Sequence, residues 1–245
     1  MKFYLGTHEP KDLERSDVEM FLSRSRLIRR KSLVNPICDW ALDSGGFSQL
    51  RLHGGWTITS SEYVDDLERF SEMSGLMWAA PMDWMCEPFM VKKTGLTVVE
   101  HMMNTVDNFN EIRSLRPEVH VIPVLQGWEL DDYIKCHKMY EESGVDLSKE
   151  PLVGIGSICR RQAGGEIEDI VRHFFDQGLS LHGFGVKIKG MKRYGPYLTS
   201  ADSMAWSFRA RYNREHCSKH KDEPTTAHCG NCITYAHEWR ERVIG

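Results

Sequence analysis

Residues 40–47 read Trp40-Ala41-Leu42-Asp43-Ser44-Gly45-Gly46-Phe47. Three apolar residues give way at once to a carboxylate, a hydroxyl and two glycines. A short apolar run of this kind suits a strand buried on both faces, and the polar break marks its turn. Successive glycines let the backbone take positive φ or approach a ligand closely. The same unit recurs outward along the chain. Phe3-Tyr4-Leu5 is a first strand. Leu76 to Met82 ends at Asp83, Val119 to Leu125 at Gln126-Gly127, and Leu152 to Ile155 at Gly156-Ser157. Leu181 to Val186 runs through His182-Gly183-Phe184-Gly185, and Tyr197 to Ala201 ends at Asp202.

Amphipathic helices fall between these runs. Thr59 and Glu62 form a capping box ahead of Tyr63, Val64, Leu67 and Phe70 at helical spacing. Val99, Met102, Met103, Val106, Phe109 and Ile112 mark a long helix. Tyr133, Ile134, His137 and Tyr140 mark another, closed by Gly144, and Ile167, Ile170, Val171, Phe174 and Phe175 a third. Strands alternating with helices predict a parallel α/β fold. Seven strands are one short of a closed barrel, so the eighth is expected around Met85 to Thr97, or the barrel is irregular. An open doubly wound sheet is the alternative, but no glycine-rich phosphate turn follows the first strand. The expected fold is a (β/α)8 TIM-like barrel, residues 1–245 forming one domain with a zinc-binding segment at about 214–240.

Composition narrows the function classes. The 245 residues are 41% hydrophobic, enough for one buried core, and carry a formal net charge of −4. A polyanion would therefore meet a local basic surface rather than a global field. The longest apolar runs fall well short of a membrane span, so no membrane partner is expected. Residues 1–10 lack a secretion-signal pattern, and a cytoplasmic setting is expected.

In a parallel barrel the C-terminal ends of all strands share one face, where active sites form. Asp43, Asp83, Gln126, Gly156 with Ser157, Gly185 and Asp202 would converge there. Aspartate and glycine also mark ordinary turns, but so many strand-end polar residues favour a site. Asp83 would accept N–H groups from a guanine edge, and Gln126-Gly127 offers an amide and open backbone for a carbonyl such as O6. Phe47 presents a flat face for stacking, with a core position as its alternative.

Cys217-x-x-His220 and Cys229-x-x-Cys232 are two knuckles eight residues apart, a spacing that fits a closed tetrahedral zinc site. His237 rivals His220 as fourth ligand. Three basic segments stand out: Arg24 to Lys31, then Lys187, Lys189, Lys192 and Arg193, then Arg209, Arg211 and Arg214. A charge run is usually a solvated face. The second and third lie beside Asp202 and the knuckles, which favours phosphate contacts, with Arg160 and Arg161 as further candidates.

The ordered set Asp43-Ser44-Gly45-Gly46-Phe47, Asp83, Gln126-Gly127, Gly156, Gly183-Phe184-Gly185, Asp202 and the cysteine-rich tail resembles the tRNA-guanine transglycosylases. Residues 1–7, 200–206 and 229–232 are more similar to phage and bacterial relatives that place 7-deazaguanines in DNA. The resemblance implies Asp202 as the nucleophile at C1′ and Asp43 as its acid/base partner. It implies base recognition by Asp83, Gln126 and Gly127, stacking between Phe47 and Phe184, and backbone contacts from Gly156 and Ser157. It implies DNA as partner, a 7-deazaguanine such as preQ0 as small substrate, and structural zinc. Ser48 stands where the tRNA enzymes usually carry Gln, and Ala227 where they carry a first zinc cysteine, which weakens the tRNA alternative. Two other readings differ in class: a zinc-knuckle nucleic-acid binder without catalysis, and a barrel hydrolase using Asp43 and Asp202 with water.

Overall fold

The computed structural model describes residues 1–115, 117–161, 164–222 and 227–245. Its strands are β1 (Lys2–Thr7), β2 (Met20–Ser23), β3 (Trp40–Asp43), β4 (Leu76–Ala79), β5 (Val124–Leu125), β6 (Val153–Ile155), β7 (Leu181–Gly183) and β8 (Ser200–Ser203). All pair in parallel, in the order β4-β3-β2-β1-β8-β7-β6-β5. The sheet curls so far that its ends meet. Ala79 of β4 forms a parallel bridge with Val121, just ahead of β5. The Ala79 N–H donates to the His120 carbonyl at 2.9 Å, and the Ile122 N–H to the Ala79 carbonyl at 3.1 Å. The architecture is α/β and TIM-like.

The described helices are α1 (Gly46–His53), α2 (Ser60–Ser71), α3 (Pro88–Thr94), α4 (Val98–Ser114), α5 (Leu130–Glu142), α6 (Glu166–Asp176), α7 (Ile188–Tyr194), α8 (Ala205–Asn213) and α9 (Ile233–Ile244). The Thr59 capping box opens α2, and Thr97 with Glu100 builds a second on α4. Because side chains alternate across a strand, each one serves two layers. Phe3 and Leu5, Met20 and Leu22, and Trp40 and Leu42 face the helices in one continuous core. Their alternates Tyr4, Phe21 and Ala41 point inward, where Trp78, Ile122 and Leu152 join them. Burying each large side chain contributes about 1.5–3 kcal/mol.

The eighth strand is Met20–Ser23, not a segment of Met85 to Thr97, which holds α3 instead. Proline at the start of α3 and Gly95 at φ 76° after its end are ordinary helix punctuation. Other bounds also move. Of Val119 to Leu125 only Val124 and Leu125 pair as a strand, and the last strand spans Ser200–Ser203, so Asp202 lies inside it. Val99, Met103, Ile134 and Phe175 are exposed, so the apolar stripes are narrower than their periodicity suggested.

Candidate active site and metal centre

Every strand ends at one pocket of about 440 Å³. β1 brings Gly6 and Thr7, β2 Ser23, β3 Asp43, and the turn after β4 Ala80 and Asp83. Gln126 follows β5, Gly156 and Ser157 follow β6, Phe184 and Gly185 follow β7, and Asp202 comes from β8. The geometry thus gathers Asp43, Phe47, Asp83, Gln126, Gly156, Ser157, Phe184, Gly185 and Asp202. Gly127 does not line it. A Cβ there would lie 2.9 Å from the Tyr133 backbone nitrogen, so the glycine serves the packing of α5.

The floor is one hydrogen-bonded chain. The Gln126 amide donates to Asp83 Oδ2 at 2.6 Å, and the Ser157 hydroxyl donates to Gln126 Oε1 at 2.7 Å. This fixes which way the amide points. Ser157 also accepts the Cys86 N–H at 2.7 Å and holds φ at 56°, an uncommon backbone for a non-glycine residue. A Cβ on Gly156 would lie 2.3 Å from Gln126 Nε2, so only glycine admits that amide. Tyr133 donates to the Gly156 carbonyl at 2.7 Å from behind. The side chains of Asp83, Gln126 and Ser157 are buried. Their free edges therefore suit a planar ligand with adjacent donors and acceptors.

Asp43 and Asp202 line the same pocket. The Gly185 N–H donates to Asp202 Oδ1 at 2.9 Å, and His182 Nε2 lies 3.4 Å from the same oxygen. That second contact falls outside hydrogen-bond geometry. His182 is fully buried, its Nδ1 is 2.9 Å from Ser200 Oγ, and its ring packs 4.7 Å from both Trp78 and Phe184. Burial, with the Asp202 charge beside it, pushes Asp43 up to about 6, against hydrogen bonds from Ser23 and Gly45. Burial, with the Asp43 charge, pushes Asp83 up to about 7, against the Gln126 hydrogen bond. A neutral and an ionised carboxyl can therefore coexist here near neutral pH, the condition for acid/base work.

These shifts predict a pH-dependent stability. Both groups bind protons more tightly when folded, so their contribution is complete below about pH 4 and is lost as pH rises through 6 to 7. Asp43→Asn and Asp83→Asn remove that loss. Each should gain stability relative to the parent between pH 5 and pH 8, on the order of 1–3 kcal/mol. Thermal melts at the two pH values measure it, and a parent–variant gap that does not change contradicts the burial argument.

Sequence reasoning missed Glu87, His182 and the contributors from around β1 and β2. Glu87 lines the pocket, is buried, and places Oε2 3.3 Å from the Ser157 hydroxyl oxygen, whose one proton goes to Gln126; burial raises its carboxyl. Phe21, His8 and Arg26 also line it, with Arg26 Nη2 3.1 Å from His8 Nδ1. The Arg160 guanidinium lies 5.2 Å from the ring of Phe47, a lining residue, and 4.7 Å from Phe89. Among the expected phosphate ligands, Arg193 pairs with Glu168 at 2.7 Å, Arg209 with Glu215 at 2.9 Å, and Arg211 with Asn231 Oδ1 at 2.6 Å. Lys187, Lys189 and Lys192 are exposed. Arg24, in the first basic run, is buried against Asp66 rather than solvated.

The knuckles meet. Ligand atoms of Cys217, His220, Cys229 and Cys232 lie within 4.8 Å of one another. Cys217 Sγ is 3.8 Å from the sulfurs of Cys229 and Cys232. His220 Nδ1 is 3.3, 3.4 and 3.8 Å from Cys217, Cys229 and Cys232. Zinc bonds of about 2.3 Å to sulfur and about 2.1 Å to nitrogen set tetrahedral edges near 3.8 Å and roughly 3.5 Å. The donor set and spacing fit zinc. His237 is elsewhere, its Nε2 3.1 Å from Ser16 Oγ. Residues 223–226 of this segment lie outside the described residues.

No curated protein matches the chain. A solved structure described as a candidate isomerase from Sinorhizobium meliloti, in an open-loop conformation, shares 9% identity at a TM-score of 0.44. That match covers 82% of this chain and 50% of the other, so the chain spans about half of it; at that score it bears on neither fold nor activity. The profile of DpdA, DeoxyPurine in DNA protein A, matches residues 1–245. The profile match over the whole chain shows the family: the chain belongs to the DpdA family, described as transglycosylases of the pentosyltransferase class that act on DNA and are related to the tRNA-guanine transglycosylases.

Proposed function

We propose that this chain is a single (β/α)8 barrel that exchanges a guanine in DNA for a 7-deazaguanine, preQ0 or a derivative, through a covalent bond to Asp202. The observation that carries the reading is the meeting of Asp202 and Asp43 over the Asp83–Gln126–Ser157 chain in one pocket. With Oδ1 held by the Gly185 N–H, Asp202 Oδ2 attacks C1′, and the C1′–N9 bond breaks with its electron pair leaving on guanine. Asp43 in its neutral form donates the proton that makes the departing base neutral. Guanine leaves and the deazaguanine enters. Asp43, now ionised, takes its N9 proton, the nitrogen attacks C1′, and Asp202 is released. Asp83 and Gln126 read the base edge, and Phe47 and Phe184 stack on it. Cys217, His220, Cys229 and Cys232 hold a zinc ion that cross-links the tail.

Mass spectrometry of nucleosides after incubating DNA with protein and labelled 7-deazaguanine tests the exchange. Incorporation supports it; release of guanine without incorporation would make the chain a hydrolase. In direct competition, a DNA oligonucleotide should take up the label and a tRNA should not. Labelled tRNA beside untouched DNA would keep the chemistry and overturn the partner. Contacts from the Lys187–Lys192 segment and α8 should make DNA affinity fall on the order of tenfold to a hundredfold between 50 and 200 mM salt. A flat salt titration would remove those residues from the interface.

A further inference from the structure

Helix α8 carries a feature the pocket does not use. Phe208 and Tyr212 stand one turn apart with rings stacked, centroids 5.8 Å apart and planes at 12°. They are 70% and 79% exposed. The inner face of α8 is already filled by Trp206, Ser207 and Ala210. The aromatic pair therefore adds nothing to the core, and exposed apolar area of this kind marks an interaction site.

Its surroundings identify the occupant. Residues 205–214 hold three arginines, Arg209, Arg211 and Arg214, and no carboxylate. Glu215 and Asn231 steady the first two guanidinium groups. The helix begins directly after Met204, which lines the pocket two residues beyond Asp202. At its far end the charge of Arg211 acts on His8, another pocket residue. The helix thus carries the stack and the arginines on from the pocket wall, with Met204, Phe208 and Tyr212 four residues apart in the sequence. Flat aromatic faces interleaved with cations suit unpaired bases on a phosphate backbone. Arg209 shares its charge with Glu215, and the remaining positive charge beside the stack, from Arg211 and Arg214, matches a phosphate backbone.

We propose that the Phe208–Tyr212 stack is a base-stacking platform for the DNA strand flanking the nucleotide in the pocket. The proposal rests on the pocket holding a guanosine unit of DNA. A guanine whose C1′ reaches Asp202 has left its stack, and its neighbour loses a partner that an aromatic face replaces. Arg209 and Arg211 meet the adjoining phosphates.

The test uses single-stranded oligonucleotides with one guanine and 2-aminopurine on either its 5′ or its 3′ side. With the parent protein, 2-aminopurine emission should be quenched at one flank. In the F208A/Y212A and F208L/Y212L variants that quenching should disappear, and affinity should fall on the order of tenfold to a hundredfold. Melting temperature, zinc content and calorimetric binding of free guanine should match the parent. Unchanged quenching and affinity would overturn the platform. Full recovery by the leucine pair would replace stacking with plain apolar contact and overturn it too. So would a change of oligomeric state in sedimentation with DNA affinity intact, which assigns the patch to a protein partner. Lost base exchange in the parent with quenching retained would sink the pocket chemistry alone.

Discussion

Asp202→Ala is expected to abolish base exchange, lowering it about 10³-fold or more, while the melting temperature stays within a few degrees of the parent. The two halves of that expectation have different origins. The fold does not need the carboxylate: β8 is held by its neighbours β1 and β7, and the Val186 N–H donates to the Asp202 backbone carbonyl at 2.8 Å. The proposed displacement at C1′ does need it. Oδ1 already accepts the Gly185 N–H, so only Oδ2 remains to meet an electrophilic carbon. Asp202→Asn separates these roles, because an amide oxygen still accepts from Gly185 but is a poor nucleophile. Both variants should fail to form a denaturation-resistant adduct with DNA, and the asparagine variant should keep DNA affinity. Label incorporation above a few per cent of the parent in the alanine variant would remove Asp202 as nucleophile.

The place of Asp202 in the pocket was legible because a parallel barrel maps strand order onto one face. Once Trp40-Ala41-Leu42 is read as a strand ending at Asp43, every later strand end points to the same pocket. Only residue type at the ends is then needed to list Asp43, Asp83, Gln126 and Asp202. What failed was anything depending on β2. Four residues, Met20–Ser23, run straight into a basic stretch, and so short a run carries no period of its own. Without β2, nothing indicated that Phe21, Ser23 and Arg26 face the pocket. Glu87 comes from a turn whose path only tertiary packing decides. His182 could have been noticed as a polar residue within an apolar strand, but its approach to Asp202 depends on β7–β8 pairing. Gly127 was misplaced for the converse reason. One residue past the strand the chain has already turned toward α5, and the absent side chain makes room for Tyr133. Counting arginines likewise says nothing about Glu168 or Glu215, which lie outside the runs and take Arg193 and Arg209.

Cys229→Ser is expected to lose a single tightly held zinc and, with it, several kcal/mol of stability, roughly 10 °C in melting temperature. Three sulfurs and one imidazole at tetrahedral spacing leave no place for a fifth donor, so removing one thiolate opens the site. His220→Ala should do the same. His237→Ala should keep the metal, because that imidazole sits on Ser16 and belongs to the packing of α9 against the barrel. The loss should also travel. Gly230, between Cys229 and Cys232, accepts the Ser207 hydroxyl of α8 at 2.6 Å, and its neighbour Asn231 holds Arg211. The loop of residues 229–232 thus braces the helix that carries the aromatic stack, while Asp43, Asp83 and Gln126 belong to other strand ends. Zinc-depleted protein should therefore lose DNA affinity yet still bind free guanine. Metal analysis, melting curves and the two binding measurements on the same preparations decide it. Equal zinc and equal melting in the parent and Cys229→Ser would end the metal reading, and lost guanine binding alongside lost zinc would mean that the tail supports the whole barrel rather than α8.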